Sequence, residues 1–357
     1  MRHDINLVYL ATAIVLIPAG LVTGGKAGML MLSIGVIGIT FYALRFSGLL
    51  NIDISRCIQR FLTLKETDKL DNISRFTILL YTVILFTTLF YYRIHLLIDQ
   101  IVFLLAVGFL ITGRLKRAGA FLYDWLPFVI LLFAYDAMRG IADDLGGRIH
   151  YMELIGAERA IFGGIPTIWL QQEFFVPGTV AWYDILAAMF YSFHLFLPVM
   201  FAYFIWIQDR QLFRKFRDSF ILLSYAALIT FLLYPAAPPW LANDNGYLQP
   251  VHKVLFEMGH VYSMVTIQTI YLLVNANPVA AIPSLHVGFP WLMFLFAMKY
   301  WGRRGIVTIL LPFGIGLSAV YLGEHYVIDL IIGVAYATAA FLLIERLYER
   351  NLITKQQ

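Results

Sequence analysis

The chain has 357 residues, of which 61% are hydrophobic and 13% charged, and its net charge is +4. A soluble globular domain carries about a quarter charged residues, so this composition excludes the soluble class and sets the membrane class before any motif is read. The basic residues stand in short turns between apolar runs, which reads as control of membrane orientation and not as nucleic-acid binding, and the single cysteine, Cys57, excludes a disulfide framework.

A membrane helix takes about 20 apolar residues. Runs of that kind predict spans near 5–23, 27–45, 76–92, 95–113, 119–139, 183–207, 218–235, 284–299, 305–323 and 326–345. The first reads as a span and not as a cleaved signal, because a second apolar run follows at once. Two long connections, 140–182 and 236–283, are rich in Gly, Pro, Trp and Tyr, and the amphipathic stretch Ile161–Gln172 predicts helices lying in the interface. With the spans alternating in direction, 20 of the 26 Lys and Arg residues fall on one side. The positive-inside rule then puts both termini in the cytoplasm and the two long connections outside. The expected fold is all-α: a polytopic bundle of about ten spans, with an accessory bundle over 1–118, a six-span core over 119–346 and a cytoplasmic tail over 347–357.

The chemistry-bearing residues cluster late in the chain. His286 stands where a loop enters the eighth span, and His325 and Asp329 stand at the entry to the tenth. The histidines are 39 positions apart, one helix down and one helix back, so both arrive at the same membrane face. His325 and Asp329 are i,i+4 and share a helix face. Ionisable groups at one depth of a membrane mark function. A histidine can attack phosphorus, a carboxylate one turn away can fix its tautomer, and a second histidine can protonate the leaving oxygen. Ser284, at the start of the eighth helix, is placed either to cap that helix or, with nearby backbone N–H groups, to hold phosphate oxygens.

The segments Pro283-Ser284-Leu285-His286 and Ser318…His325…Asp329 resemble the second and third signature motifs of the type 2 phosphatidic acid phosphatase superfamily, P-S-G-H and S-R-x5-H-x3-D. The resemblance covers residues 119–346 and implies His325 as nucleophile, Asp329 as its partner and His286 as general acid. It departs from the pattern in two places: Ala319 replaces the arginine of the third motif, and the first motif, K-x6-R-P, is absent. In its place stands the run Tyr234–Trp240. Together with His325, Tyr326 and Asp329, that run is similar to the fungal inositol phosphorylceramide synthase branch, which transfers a phosphoinositol head group between lipids. Loss of two basic residues fits a phosphodiester, which carries one less negative charge than a monoester.

The expected activity is therefore head-group transfer from a phospholipid donor to a lipid hydroxyl acceptor of the sphingolipid type, with no metal, nucleotide or other cofactor and no nucleic-acid partner. The setting is a membrane, read as a bacterial plasma membrane from the short loops. Three rivals stand beside it: a lipid phosphatase using water, a non-enzymatic carrier or scaffold, and an intramembrane serine protease built on Ser284, against which the lack of flanking glycines argues. Phosphate or head-group contacts are expected from Ser284, Arg139, Tyr326, Lys253 and Arg159, with Arg139 first; the alternative for Arg139 is a pair with Asp136 within the helix. Asp143, Asp144 and Glu158 read as solvated loop charges, with contact to a polyol head group as the alternative, His194 as a satisfied interhelical histidine before a catalyst, and His150, His252 and His260 as loop histidines without metal-ligand spacing. Pro235–Trp240 reads as a helix stop with an interfacial Trp anchor.

Overall fold

A computed structural model describes residues 148–248, 250–261 and 278–354, with five further positions between 121 and 129. The first four expected spans, most of the fifth, and Arg139 with Asp136 lie outside the described residues. The chain divides into two compact units, Met1–Ala134 and Tyr135–Gln357. In the first, Phe121, Asp124, Trp125, Phe128 and Val129 are helical and buried, on one face by their i,i+3 and i,i+4 spacing.

Regular structure among the described residues of the second unit is helical. Two short helices, α1 (Met152–Phe162) and α2 (Pro166–Phe174), precede two long ones, α3 (Trp182–Gln208) and α4 (Arg210–Leu233). Then come α5 (Pro239–Asp244), α6 (Val254–Val261), α7 (Leu285–Trp301), a 3₁₀ helix over Gly302–Ile309, α8 (Leu310–Tyr321) and α9 (Val327–Thr354). Gly163, in the left-handed region at φ 76°, turns α1 into α2, and Pro166 starts α2 at a position where its missing N–H costs nothing.

Among the described residues four stretches are long and apolar enough to cross a membrane: Trp182–Gln208, Arg210–Leu233, Leu285–Tyr321 and Val327–Arg350. The third doubles back on itself. A Cβ on Gly305 would strike the Ala297 backbone, and one on Gly316 would lie 3.3 Å from the Val287 side chain, so α8 returns antiparallel along α7. This is the expected down-and-back pair, with its lower return made by the 3₁₀ segment. Two expected boundaries are corrected. The basic turn before the seventh span is itself helical, because the Asp209 side chain accepts the Gln211 and Leu212 N–H groups at 2.8 and 3.0 Å and starts α4 at once. At the C-terminus α9 runs on to Thr354.

The long helices pack through rings and hydroxyls. Phe220 of α4 stacks on Phe289 of α7 with centroids 4.0 Å apart, Trp291 of α7 donates to Thr338 of α9 at 2.9 Å, and Thr230 of α4 meets Tyr336 of α9 at 2.8 Å. At one end of the bundle Lys215, Lys299 and Tyr300 all donate to the buried Glu345, at 3.0, 2.6 and 2.7 Å, and so tie α4, α7 and α9 together. The opposite end carries the histidines. Over it run α1, α2 and α5, stitched by backbone bonds: His150 donates to Pro235 at 2.9 Å, Ala237 to His150 at 3.0 Å and Ala236 to Val279 at 2.8 Å. Trp240 is buried, and its backbone N–H donates to the Gly323 carbonyl at 3.1 Å.

Candidate active site

The loop between α8 and α9 delivers His325. Gly323 takes φ 82°, a conformation that favours glycine, and lets the chain leave α8. The Glu324 and His325 N–H groups then both donate to the Ala319 carbonyl, at 3.0 and 3.2 Å. Gln171 of α2, itself buried, braces the loop from outside: its amide donates to the carbonyls of Tyr321 (2.8 Å) and His252 (2.9 Å) and accepts the His252 N–H at 2.7 Å. His325 is thus the end point of a clamped turn.

Asp329 sits in the first turn of α9, wholly buried. One carboxylate oxygen accepts from His325 Nδ1 at 3.3 Å and from the Tyr326 N–H at 2.9 Å. Because that oxygen is an acceptor, Nδ1 of His325 carries the hydrogen and Nε2 is left with its lone pair. His286 Nδ1 lies 2.9 Å from that Nε2. The two histidines expected to meet therefore do meet, in register with the carboxylate.

Their spacing depends on one close crossing. The Ser284 N–H donates to the Asp329 carbonyl at 3.0 Å, and a Cβ on Gly333 would collide with the Ser284 carbonyl oxygen. Glycine at 333 lets the start of α7 lie directly on α9, which brings His286 to His325. Ser284 itself is buried, makes no side-chain cap for α7, and its hydroxyl has no hydrogen-bond partner in the protein.

Tyr191, which the sequence reading passed over, and His194 and Glu158, to which it gave no place in the centre, lie around it. Tyr191 of α3 stacks on the His286 ring at 4.4 Å and 19°, and His194 approaches the same ring at 4.1 Å. His194 Nδ1 donates to the Tyr191 carbonyl at 2.8 Å, within its own helix, and its ring meets His286 of α7 across the helix interface. Their i,i+3 spacing on one span face was the available signal. Glu158, read as a solvated charge, is fully buried: Oε1 accepts the Ile328 N–H of α9 at 3.0 Å. Burial and the neighbouring Asp329 push its pKa up to about 7, against backbone hydrogen bonds that favour the anion. In the polar run 148–160 no sequence signal marks it out.

The remaining expected contacts are distributed unevenly. Tyr326 is fully buried in the apolar cluster of Leu154, Ile155 and Ala281, and burial holds its hydroxyl well above the ordinary tyrosine range. Lys253 lies 3.4 Å from the Trp240 ring centroid, a close cation–π contact; partial burial lowers its pKa while Glu324 and Asp244 oppose that shift. Arg159 is exposed on α1. Ala319, where the superfamily motif has arginine, is fully buried. His150 pairs with Glu153 at 3.0 Å, and His252 with Glu257 at 2.8 Å. A cavity of about 630 Å³ lies between α2, α7, α8 and α9; its lining includes Val287 and Val327, one residue after His286 and two after His325, but neither histidine, and its walls, Trp291, Phe313 and Leu317 among them, are almost wholly apolar.

Comparison with known proteins agrees with the motifs. The model of the PAP2 superfamily matches residues 152–343, more than half the chain. The chain is similar to a Bacteroides thetaiotaomicron protein named phosphoinositol dihydroceramide synthase, with 26% identity over 262 residues, 70% of this chain and 83% of that one. No solved structure matches.

Proposed function

The chain belongs to the PAP2 superfamily, and from that premise we propose that it transfers a phosphoinositol-type head group from a phospholipid donor to the hydroxyl of a second, sphingolipid-type lipid. The observation that carries this reading is the line Asp329–His325–His286, with hydrogen-bond separations of 3.3 and 2.9 Å. Support for the substrate class comes from the named relative and from the apolar cavity between α2, α7, α8 and α9, which suits a lipid chain.

In the proposed reaction the donor phosphorus enters between the two rings. His325 Nε2 attacks it and the P–O bond to the diacylglycerol breaks. Asp329 holds the positive charge that forms on the His325 ring, and His286 gives its proton to the departing alkoxide. The acceptor hydroxyl then loses its proton to His286, its oxygen attacks phosphorus, and the P–N bond to His325 breaks. With Ala319 in place of arginine, a singly charged diester suits the centre better than a doubly charged monoester. Lys253 is the phosphate-facing cation we assign on the described side of the site, with Arg139 as a second and Ser284 and Tyr326 as hydroxyl contacts freed when the site opens to substrate. The histidine end faces the extracytoplasmic side of a bacterial plasma membrane with both termini in the cytoplasm; the basic end around Lys215 and Lys299 supports that orientation.

The test is purified protein in detergent with head-group-labelled phosphatidylinositol. The expected result is a mass increase on His325, absent in His325→Ala, that disappears when a ceramide acceptor is added and reappears as labelled product. Release of inositol phosphate to water at the same rate with and without acceptor would replace the transferase reading with a phosphatase.

A further inference from the structure

Glu158, like Asp184 and Glu324, is a buried ionisable group at this end of the bundle that the proposed reaction leaves without a role, and it is the one bonded to the helix that carries Asp329. The first turn of any helix presents N–H groups with no partner inside the helix. In α9 two carboxylates divide that work: Asp329 holds the Tyr326 N–H and His325, and Glu158, reaching across from α1, holds the Ile328 N–H. The other oxygen of Glu158 is buried and meets no hydrogen-bond partner in the protein. We infer that Glu158 is a positioning residue, which caps α9 from α1 and, in its protonated form, leaves Asp329 to carry the negative charge that His325 requires.

The ionisable groups facing it are Asp329 and Tyr326, with His325 beyond Asp329. Two carboxylates buried at one helix turn resist ionising together. Its pKa is raised to about 7 from an ordinary 4.5, so the folded state holds a proton that the unfolded chain gives up. The stabilisation is fully present below pH 4.5 and is lost as pH rises through about 7. Above that point a second negative charge stands beside Asp329, and the turn carrying His325 loosens.

The inference rests on the proposed role of His325, so its test reads His325 without a lipid substrate. Diethyl pyrocarbonate modification of His325, followed by mass spectrometry from pH 5.5 to 8.5, reports the placement of the imidazole. Divided at each pH by the E158Q rate, which cancels the titration of the imidazole itself, the wild-type rate should change across pH 7, since glutamine still accepts the Ile328 N–H but cannot ionise. In E158A the His325 rate should change about tenfold across the whole range while the rate at His150 stays constant. Where lipid turnover is measurable, E158A should lower kcat about tenfold with KM within about twofold, and E158Q should restore it. Identical His325 profiles in wild type, E158Q and E158A would overturn the inference, as would a thermal midpoint that falls in E158A with no change at His325. An inert His325 adduct assay with every donor would instead sink the transferase reading and leave this measurement standing.

Discussion

His286 is held in a different way from His325. His325, the proposed nucleophile, is anchored at Nδ1 by Asp329, whereas His286 lies flat on Tyr191 with the His194 ring 4.1 Å away. In the proposed reaction this ring donates one proton and then takes another, which needs a fixed plane, and stacking supplies that plane without using a ring nitrogen. Two outcomes follow at this scale. His286→Ala should lower kcat by about 10²–10⁴ with an alkyl-ester donor, the usual contribution of a positioned acid. The loss in the first step should be far smaller with a nitrophenyl phosphodiester, whose leaving group needs no proton; equal losses on both substrates would remove His286 from the acid role. Tyr191→Leu keeps the volume roughly but removes the aromatic face, and a steady-state comparison should find kcat reduced while the protein elutes and melts as wild type.

Among the elements, the crossing of α7 over α9 sets the distance on which the chemistry depends. Gly333 admits the Ser284 carbonyl, and that carbonyl is backbone with no flexible end that can swing aside. Gly333→Ala should therefore displace the α7 start, separate His286 from His325, and cost about 1–3 kcal/mol of stability, the range for overpacking a tight interior. The check is kcat and thermal midpoint together: loss of activity well beyond the loss of folded protein marks a displaced His286. Gly316→Ala, whose Cβ would meet the flexible ends of Leu330 and Val287 at 3.3 Å, is the milder control. The α8–α9 loop is the counterpart of this crossing. Gln171, Trp240 and Glu158 reach it from three short helices, so the histidine turn is held by segments that do not themselves carry the reaction.

For the molecule as a whole, orientation is the property that decides which pool of lipid is used. In a Cys57→Ser background, Arg159→Cys should react with a membrane-impermeant maleimide added outside intact cells, and Arg303→Cys only after permeabilisation; the reverse pattern would invert the topology. The sequence alone carried the membrane class, the separation of basic residues, and the pairing of His286 with His325 and Asp329. Those follow from local rules: apolar runs of span length, charge in turns, and helix periodicity read over 39 residues. It also carried the family, because the motif residues keep their order and spacing. It did not carry Glu158, Gln171, Tyr191 or His194. Each acts across a distance in the chain that no local pattern encodes, 170 residues from Glu158 to Ile328 and 150 from Gln171 to Tyr321. Burial of a charge in a polar loop, and a ring laid on a ring from another helix, exist only once the chain has closed on itself. The motifs named the reacting atoms; the tertiary structure decided what holds them still.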